Sequence, residues 1–139
     1  MLLRRKLTVL LMAVMVMLVL ASGVALAADF IGTSGNDELT ATEGNDYLEG
    51  RAGDDRLYGL GGNDDIYGGR GNDRIYPGEG DDNVYSGAGD DLIYARDESG
   101  IDYIDCGAGF DQVETIHRDD VTLGNCERAL GPRKGNIPQ

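Results

Sequence analysis

The chain has 139 residues, enough for one domain, and its 25 acidic residues outnumber its 12 basic residues to give a net charge of −13. So acidic a chain repels nucleic acid and anionic membranes, and it suits either a cation-binding protein or a disordered acidic polymer. The periodicity of the sequence distinguishes these two classes.

Residues 1–27 are typical of a secretory signal peptide. A positive segment, residues 4–6, precedes an apolar run over residues 7–20, and residues 25–27 read Ala-Leu-Ala, a signal peptidase site. We predict cleavage after Ala27, a secreted extracellular protein and no membrane association afterwards. The alternative is an uncleaved anchor, because the apolar run approaches the length that spans a bilayer. Cleavage leaves nine basic residues against 25 acidic ones, a net charge of about −16.

A nine-residue repeat begins at Gly32 and continues without a gap to Tyr94. Its seven phrases are GTSGNDELT, ATEGNDYLE, GRAGDDRLY, GLGGNDDIY, GGRGNDRIY, PGEGDDNVY and SGAGDDLIY. Position 4 is always Gly, position 6 is always Asp and position 8 is always aliphatic. A segment two residues longer than one phrase follows, and CGAGFDQVE, residues 106–114, returns to the register. This regularity argues against the disorder that a Gly- and Asp-rich composition otherwise indicates.

The residue types explain the period in physical terms. A turn of six residues needs a positive φ, which Gly adopts without steric cost. The single apolar position, 8, must be the inward residue of a short strand, with positions 7 and 9 facing outward. Ca²⁺ takes about six to eight oxygen ligands, which a Gly-rich turn supplies as carbonyls and the position-6 Asp as a carboxylate.

The phrases follow the pattern G-G-x-G-x-D-x-U-x, and from Gly32 to Glu114 the chain closely resembles the RTX, or hemolysin-type, calcium-binding repeat family. The resemblance implies that six residues of each phrase form a turn and three form a short parallel strand. Two phrases then make one coil, and Ca²⁺ lies between turns two phrases apart. The predicted fold is an all-β, right-handed parallel β-roll over residues 28–114.

The resemblance makes the position-6 carboxylates the side-chain ligands of Ca²⁺: Asp37, Asp46, Asp55, Asp64, Asp73, Asp82, Asp91, Asp102 and Asp111. The regular turns pair as Asp37–Asp55, Asp55–Asp73, Asp73–Asp91, Asp46–Asp64 and Asp64–Asp82, which predicts about five ions. The pairs Asp82–Asp102 and Asp91–Asp111 lie across the insertion and would raise the number to about seven. The turn backbone is expected to contribute at Gly50, Gly53, Gly59, Gly62, Gly68, Gly71, Gly78, Gly80, Gly87 and Gly89.

Position 2 departs from Gly in the first four phrases, where Thr33, Thr42, Arg51 and Leu60 occupy it. Positions 1 and 2 are expected to contribute carbonyls rather than side chains, so substitution need not remove a ligand. We nevertheless expect weaker binding at the early sites and the tightest binding in the middle, from Gly59 to Tyr94.

The predicted core is too thin to fold without the metal. One aliphatic residue per phrase cannot offset the conformational entropy lost when nine residues are ordered. A net charge of about −16 also makes the chain repel itself. We therefore expect it to be largely unfolded without Ca²⁺ and to fold on binding.

Positions 5 and 9 are regular as well. Position 5 is always Asn or Asp in the seven regular phrases, and we expect it to bond the turn backbone rather than ligate Ca²⁺ directly. Position 9 is Tyr in five consecutive phrases, which predicts two exposed ladders: Tyr58, Tyr76 and Tyr94 on one face, Tyr67 and Tyr85 on the other. These ladders favour cross-strand packing, and the alternative is a binding platform for a cell-surface glycan or protein.

The C-terminal end loses the repeat. Cys106 and Cys126 predict a disulfide in an exported chain, with free thiols or an intermolecular bridge as alternatives. We expect residues 115–128 to form a disulfide-stapled cap, which a solenoid needs against end-to-end stacking, and residues 129–139 to be a disordered basic tail. The protein is expected to be a monomer.

An enzyme has little support in this sequence. His117 is the only histidine, and no H-E-x-x-H, G-x-S-x-G or P-loop motif occurs. A hydrolase built on paired repeat carboxylates is the weakest of three hypotheses, because calcium binding already explains their spacing. The others are a secreted calcium-binding module and an extracellular adhesion module in which calcium is only structural.

Overall fold

The computed structural model describes residues 26–96, 99–115, 120–123 and 126–130. Its regular structure is entirely β, in twelve strands. The strands are β1 (Asp29–Ile31), β2 (Glu38–Thr40), β3 (Tyr47–Ala52), β4 (Arg56–Tyr58), β5 (Asp65–Arg70), β6 (Arg74–Tyr76), β7 (Asn83–Ala88), β8 (Leu92–Ala95), β9 (Tyr103–Asp105), β10 (Asp111–Thr115), β11 (Val121–Leu123) and β12 (Cys126–Leu130). The predicted signal peptide lies outside this part of the chain except for its last two residues. The described segments include no helix long and apolar enough to cross a membrane.

Successive strands alternate between two parallel sheets of six strands each. We call the sheet ordered β1-β3-β5-β7-β9-β11 sheet A, and the sheet ordered β12-β10-β8-β6-β4-β2 sheet B. Each strand therefore pairs with the strand two phrases away, as in Leu48 opposite Ile66 and Leu57 opposite Ile75. This topology is a parallel β-solenoid and confirms the predicted fold class.

The two-residue insertion leaves the register of both sheets intact. Val84 pairs with Ile104 in sheet A, and Ile93 pairs with Val113 in sheet B. Both pairs are separated by two more residues than the pairs within the regular repeat. The extra length is therefore absorbed in the connection after β8, between the two sheets.

The core is a double row of position-8 side chains between the two sheets. These residues are completely buried: Leu48, Leu57, Ile66, Ile75, Val84, Ile93, Ile104 and Val113. The predicted inward position is thus confirmed. Position 6 lies two residues before position 8, and position 1 of the next phrase lies two residues after it. The alternation of side chains along a strand therefore turns both positions inward as well. Position 1, which we expected to contribute only carbonyls, in fact buries the side chains of Ala41, Ser86, Ala95 and Cys106.

The strands of the two sheets differ in length, which the phrase pattern did not indicate. In sheet A, β3, β5 and β7 each extend six residues and carry pairing into position 3 of the next phrase. In sheet B, β4 and β6 stop after three residues. Pro77 follows β6 directly, and its missing N–H cannot continue the ladder.

Tyrosine rings stack on the outer face of each sheet. Tyr58, Tyr76 and Tyr94 form one ladder on sheet B, with ring centroids 4.8 and 4.7 Å apart and planes within 10° of parallel. On sheet A, Tyr67 and Tyr85 stack at 4.9 Å, so both predicted ladders are present. Tyr47 and Tyr103 extend the second ladder with tilted rings at 5.4 and 6.4 Å from their neighbours.

The solenoid continues beyond the predicted end of the repeats. Strand β11 pairs with β9 and strand β12 pairs with β10, both in parallel. Part of the segment we assigned to a cap therefore adds one more strand to each sheet, and β12 includes Ala129 and Leu130 of the predicted tail. The pattern is lost there because Thr122, not an aliphatic residue, is opposite Ile104.

The predicted disulfide joins Cys106 to Cys126, with the two Cα atoms 5.4 Å apart. Cys126 is opposite Asp111 in the register of β10 and β12, so it occupies the place of a position-6 aspartate. The disulfide therefore links β12, the last strand of sheet B, to the turn between β9 and β10.

Replacing Ile75 with Ala should destabilise the calcium-loaded protein by roughly 2–5 kcal/mol, because Ile75 is completely buried in a narrow core. Ile101→Ala is the matched control: Ile101 is half exposed, and its loss should change the free energy of unfolding by only about 0.5 kcal/mol. Denaturant unfolding in saturating Ca²⁺ measures both. Equal losses in the two variants would contradict this description of the core.

Candidate metal centre

All nine predicted aspartates lie at the beginnings of strands, where a turn enters a sheet. Position 6 is two residues before the core position, so its side chain points to the same interior side. Eight of the nine side chains are buried, and Asp37 in the first turn is half-buried. Nothing in the hydrophobic pattern requires a row of carboxylates at this depth.

The aspartates form two columns, one along each row of turns. The first column contains Asp37, Asp55, Asp73, Asp91 and Asp111, and the second contains Asp46, Asp64, Asp82 and Asp102. Within a column, the backbone N–H of each aspartate donates to Oδ1 of the aspartate in the next coil, at 2.7–3.2 Å. All the predicted pairs are therefore neighbours, including the two pairs that cross the insertion.

The second carboxylate oxygen, Oδ2, is the atom that needs a cation. It is buried and has no hydrogen-bond partner among the described residues in five aspartates: Asp55, Asp64, Asp73, Asp91 and Asp111. A buried anionic oxygen without a partner carries a desolvation penalty that a bound cation relieves. These five atoms show that the columns fit a hard metal ion such as Ca²⁺.

The glycines bring backbone carbonyls into the same space. A Cβ on Gly68 would lie 2.6 Å from Oδ2 of Asp73, and a Cβ on Gly50 would lie 2.6 Å from the carbonyl oxygen of Gly68. Glycine at position 1 therefore makes room for both the carboxylate and the carbonyl of the adjoining coil. Such close approach of oxygens is what a calcium site requires.

The predicted turn glycines fall into three groups by position: Gly50, Gly59 and Gly68 at position 1, Gly78 and Gly87 at position 2, and Gly53, Gly62, Gly71, Gly80 and Gly89 at position 4. The second and third groups all have positive φ. Gly53 is an example: its φ is 113°, and a Cβ there would lie 2.6 Å from the carbonyl oxygen of Gly35. A side chain in place of these glycines would strain the backbone and collide with the preceding coil.

No three His, Cys, Asp or Glu side chains within the described ranges form a group that could hold a metal ion. The columns offer carboxylates in pairs from successive coils instead. A calcium ion here must therefore complete its coordination with backbone carbonyls, as the Gly-rich turns predict.

Burial raises the pKa of Asp64 and of Asp73 from 3.8 to about 6. The backbone N–H of the preceding aspartate opposes this shift, and the charges of neighbours in the column add to it. Burial also raises the pKa of Asp55, Asp91 and Asp111. The columns therefore hold their negative charge at a cost that a cation removes.

Position 5 forms a second polar ladder at the rim of each turn. Its side-chain oxygen accepts the backbone N–H of position 5 in the next coil, as Asn36 does from Asp54 at 2.9 Å and Asp90 does from Phe110 at 2.9 Å. The same bond occurs from Asn45, Asp54, Asn63, Asn72 and Asp81. The expected side chain–backbone bond is confirmed, but it joins two coils rather than closing its own turn.

Position 2 has two conformations. Arg51 and Leu60 have φ values of 75° and 74°, in the left-handed region that Gly78 and Gly87 also occupy. Thr33 and Thr42 do not have positive φ. Each threonine instead hydrogen-bonds the aspartate of its own turn, Asp37 or Asp46.

The second column also has a member that the pattern did not predict. The backbone N–H of Asp102 donates to Oδ1 of Asp120 at 3.2 Å, the same contact that links the predicted aspartates. Asp120 directly precedes β11, so it occupies position 6 of a phrase whose glycines and aliphatic residue are missing. Its place nine residues after Asp111, in the register of the repeat, is the signal in the sequence that could have identified it.

Together, the paired buried carboxylates, the Gly-rich turns and the parallel sheets define a calcium-binding β-solenoid. The sequence model of the RTX calcium-binding nonapeptide repeat (4 copies) matches residues 31–66, 58–93 and 76–113, more than half of the chain. The chain belongs to this family, and its repeats bind Ca²⁺.

Two further comparisons concern curated protein sequences and solved structures. No curated protein sequence matches the chain. Among solved structures, it is similar to the solution structure of the AlgE6R3 subunit from the Azotobacter vinelandii mannuronan C5-epimerase, with 37% identity and a TM-score of 0.46. The match covers 54% of this chain and 47% of that one, so it spans less than half of the solved subunit.

Asp73→Asn should raise the calcium concentration needed for half-saturation by about tenfold or more, because it replaces an anionic ligand oxygen with an amide. Glu79→Gln removes the same charge from an exposed side chain and should change the midpoint less than about twofold. Calcium titrations of the two variants and the unmodified chain provide the comparison. Similar midpoints in both variants would exclude a local role for Asp73.

Lower pH should weaken calcium binding and strengthen the calcium-free fold. The folded-state pKa of Asp64 and Asp73, about 6, lies above their ordinary value of 3.8, so the folded chain takes up protons. The resulting stability is fully present below about pH 4 and is lost as pH rises through about 6. Protons also compete with Ca²⁺, so the calcium midpoint should be several-fold higher at about pH 5.5 than at about pH 7.5. Equal midpoints at the two pH values would contradict carboxylate ligation.

Proposed function

We propose that this chain is a secreted protein that holds several Ca²⁺ ions between its stacked turns and folds as it binds them. The observation that carries the proposal is the set of five buried Oδ2 atoms without hydrogen-bond partners, arranged in columns of like charge. Calcium binding follows from the family, and the coupling to folding follows from what these columns cost without a metal.

The charge of the columns opposes the fold. Successive coils of a parallel sheet are about 4.8 Å apart, and two unit charges at that distance repel by about 3 kcal/mol at an effective dielectric constant near 20. Each aspartate inside a column has a neighbour on both sides. A divalent ion between two coils converts this repulsion into attraction and balances two carboxylates.

The core does not compensate for that repulsion. Each phrase after the first buries one position-8 aliphatic side chain completely, and the residues on either side of it face outward. The coils are otherwise joined by stacked tyrosines and by hydrogen bonds of the backbone and of the position-5 and position-6 side chains, and each hydrogen bond contributes only about 1 kcal/mol net. The binding energy of the ions is therefore available as folding energy, which is the behaviour of small metal-dependent domains.

The ion number follows from the pairs of the columns. Seven predicted pairs are neighbours, so the expected range of about five to seven ions remains the prediction. Asp102 and Asp111 are placed like the interior aspartates, which supports the sites across the insertion.

The disulfide and the need for abundant calcium support an extracellular location, in addition to the predicted signal peptide. The Cys106–Cys126 disulfide suits an oxidising compartment. Extracellular calcium is abundant, and modules outside the cell commonly use sites with dissociation constants of about 0.1–1 mM. A chain of this kind would stay unfolded at the low calcium concentration inside a cell and fold after export.

The alternative function, adhesion through the tyrosine ladders, has weaker support. In each ladder the flat faces of the rings lie against one another, as for Tyr76 between Tyr58 and Tyr94. Arg96 lies over Tyr94, 5.7 Å from the ring centroid, and also pairs with Glu114. A sugar that stacks on an aromatic face would find mainly ring edges, so cross-strand packing accounts better for these residues.

We further propose that the protein is monomeric and has no catalytic activity. The buried carboxylates point toward the columns, and calcium binding accounts for their arrangement. The proposal does not require nucleic acid or a membrane as a partner, in keeping with the acidic composition.

Circular dichroism of the mature chain, with its disulfide formed, tests the proposal. A titration from chelator to about 10 mM Ca²⁺ should produce a cooperative gain of β signal. Mg²⁺ at the same concentration is the control and should give little change, because it keeps its water and demands a rigid octahedral site. A β signal that is already complete in chelator would refute folding on binding, even if calcium still binds.

A further inference from the structure

The first turn of each aspartate column is bonded differently from the later turns. In the second phrase, Oδ2 of Asp46 accepts the backbone N–H and the hydroxyl of Thr42, both at 2.7 Å. In the first phrase, Oδ2 of Asp37 accepts the N–H and the hydroxyl of Thr33, at 2.6 and 2.9 Å. This is the oxygen that has no hydrogen-bond partner among the described residues in Asp55, Asp64, Asp73, Asp91 and Asp111.

The threonine hydroxyl also closes its own turn. Thr42 Oγ1 accepts the backbone N–H of Gly44 at 3.1 Å, and Thr33 Oγ1 accepts that of Gly35 at 3.2 Å. Position 2 thus links the carboxylate at position 6 to the glycine at position 4 within one phrase. Among the phrases, only the first two have Thr at position 2.

Asp46 is the more complete case. Its Oδ1 accepts the backbone N–H of Ala28 at 2.8 Å, so both carboxylate oxygens have partners. The side chain is 3% exposed, as deeply buried as an interior aspartate. Its charge is therefore compensated by three hydrogen bonds without a cation.

We propose that Thr33 and Thr42 withdraw Asp37 and Asp46 from calcium and turn the first phrase of each column into a calcium-independent cap. The identity of position 2 then decides which turns bind the ion. Threonine closes a turn, whereas residues with left-handed φ, such as Arg51, Leu60 and Gly87, leave Oδ2 of the position-6 aspartate to the metal. This inference rests on the proposed calcium binding and departs from our prediction that Asp37 and Asp46 are ligands.

The position of the threonines fits this role. An ion between stacked turns takes carboxylates from two coils, but Asp37 and Asp46 each have an aspartate neighbour on one side only. On the other side of Asp46 the equivalent residue is Ala28, so no second carboxylate is available there. A terminal repeat that satisfies its own polar groups is what a solenoid needs as a cap.

Counting bound calcium ions by native mass spectrometry tests the proposal on the full mature chain with its disulfide formed. Asp46→Asn and Asp37→Asn should each leave the number of ions unchanged, whereas Asp73→Asn should lower it by at least one. Loss of an ion in either of the first two variants would overturn the proposal.

Thr42→Gly should add one ion, because it frees Oδ2 of Asp46 and restores glycine at position 2. Thr42→Ser keeps both hydrogen bonds and should keep the original count, which makes it the matched control. An unchanged count in Thr42→Gly would show that threonine is not what excludes calcium.

The reverse change offers a test that does not disturb the cap. Leu60→Thr should close the turn of Asp64 and lower the count by at least one ion, while Leu60→Gly should leave it unchanged. Equal counts in these two variants would refute a deciding role for position 2. If the unmodified chain bound no calcium, the proposed function itself would fail, which distinguishes that failure from a failure of this inference alone.

Discussion

The stacking of aspartate carboxylates in two buried columns is the constraint on which the rest of the structure depends. Backbone N–H groups hold one oxygen of each carboxylate in line with the next coil, as from Asp55 to Asp73 at 2.9 Å. The other oxygen is left buried, and charges of one sign are aligned along the whole solenoid. A divalent cation between coils gives the buried oxygens a partner and neutralises the aligned negative charges.

Several features of the sequence follow from this arrangement. Glycine is needed at Gly50 and Gly68 of position 1 and at Gly53 of position 4, because carboxylates and carbonyls approach too closely there for a Cβ. The strands stay short because each phrase must return to the column after one inward aliphatic residue. The Asn and Asp ladder at position 5 supports the same spacing from outside, since each side chain bonds the backbone of the next coil. The metal ligands, the turns and the strands therefore all recur with the same nine-residue period.

A solenoid of this kind is stabilised by contacts between neighbouring coils rather than by one central core. Its terminal coils lack one neighbour and therefore need caps. At the N-terminal end, Thr33 and Thr42 bond the first aspartates within their own turns. At the other end, Cys126 takes the place of an aspartate opposite Asp111 and forms a disulfide instead. At one end the terminal carboxylates are hydrogen-bonded within their own turns, and at the other end a disulfide-bonded cysteine stands where the next aspartate would be.

The sequence by itself determined the period and the inward position 8, and through its resemblance to the calcium-binding repeat family it indicated the pairing of turns two phrases apart and the metal. The period and the inward position depend on residue types that recur every nine residues, and regular repetition displays those directly. Only the tertiary structure decided how the chain departs from regularity. It showed that Thr122 and Asp120 continue the stack without the pattern, that β8 and β10 keep register across an insertion, and that Thr33 and Thr42 bond the aspartates of their own turns. These outcomes depend on which atoms meet in space, because hydrogen bonds between coils hold a strand in place even where its side chains no longer follow the repeat.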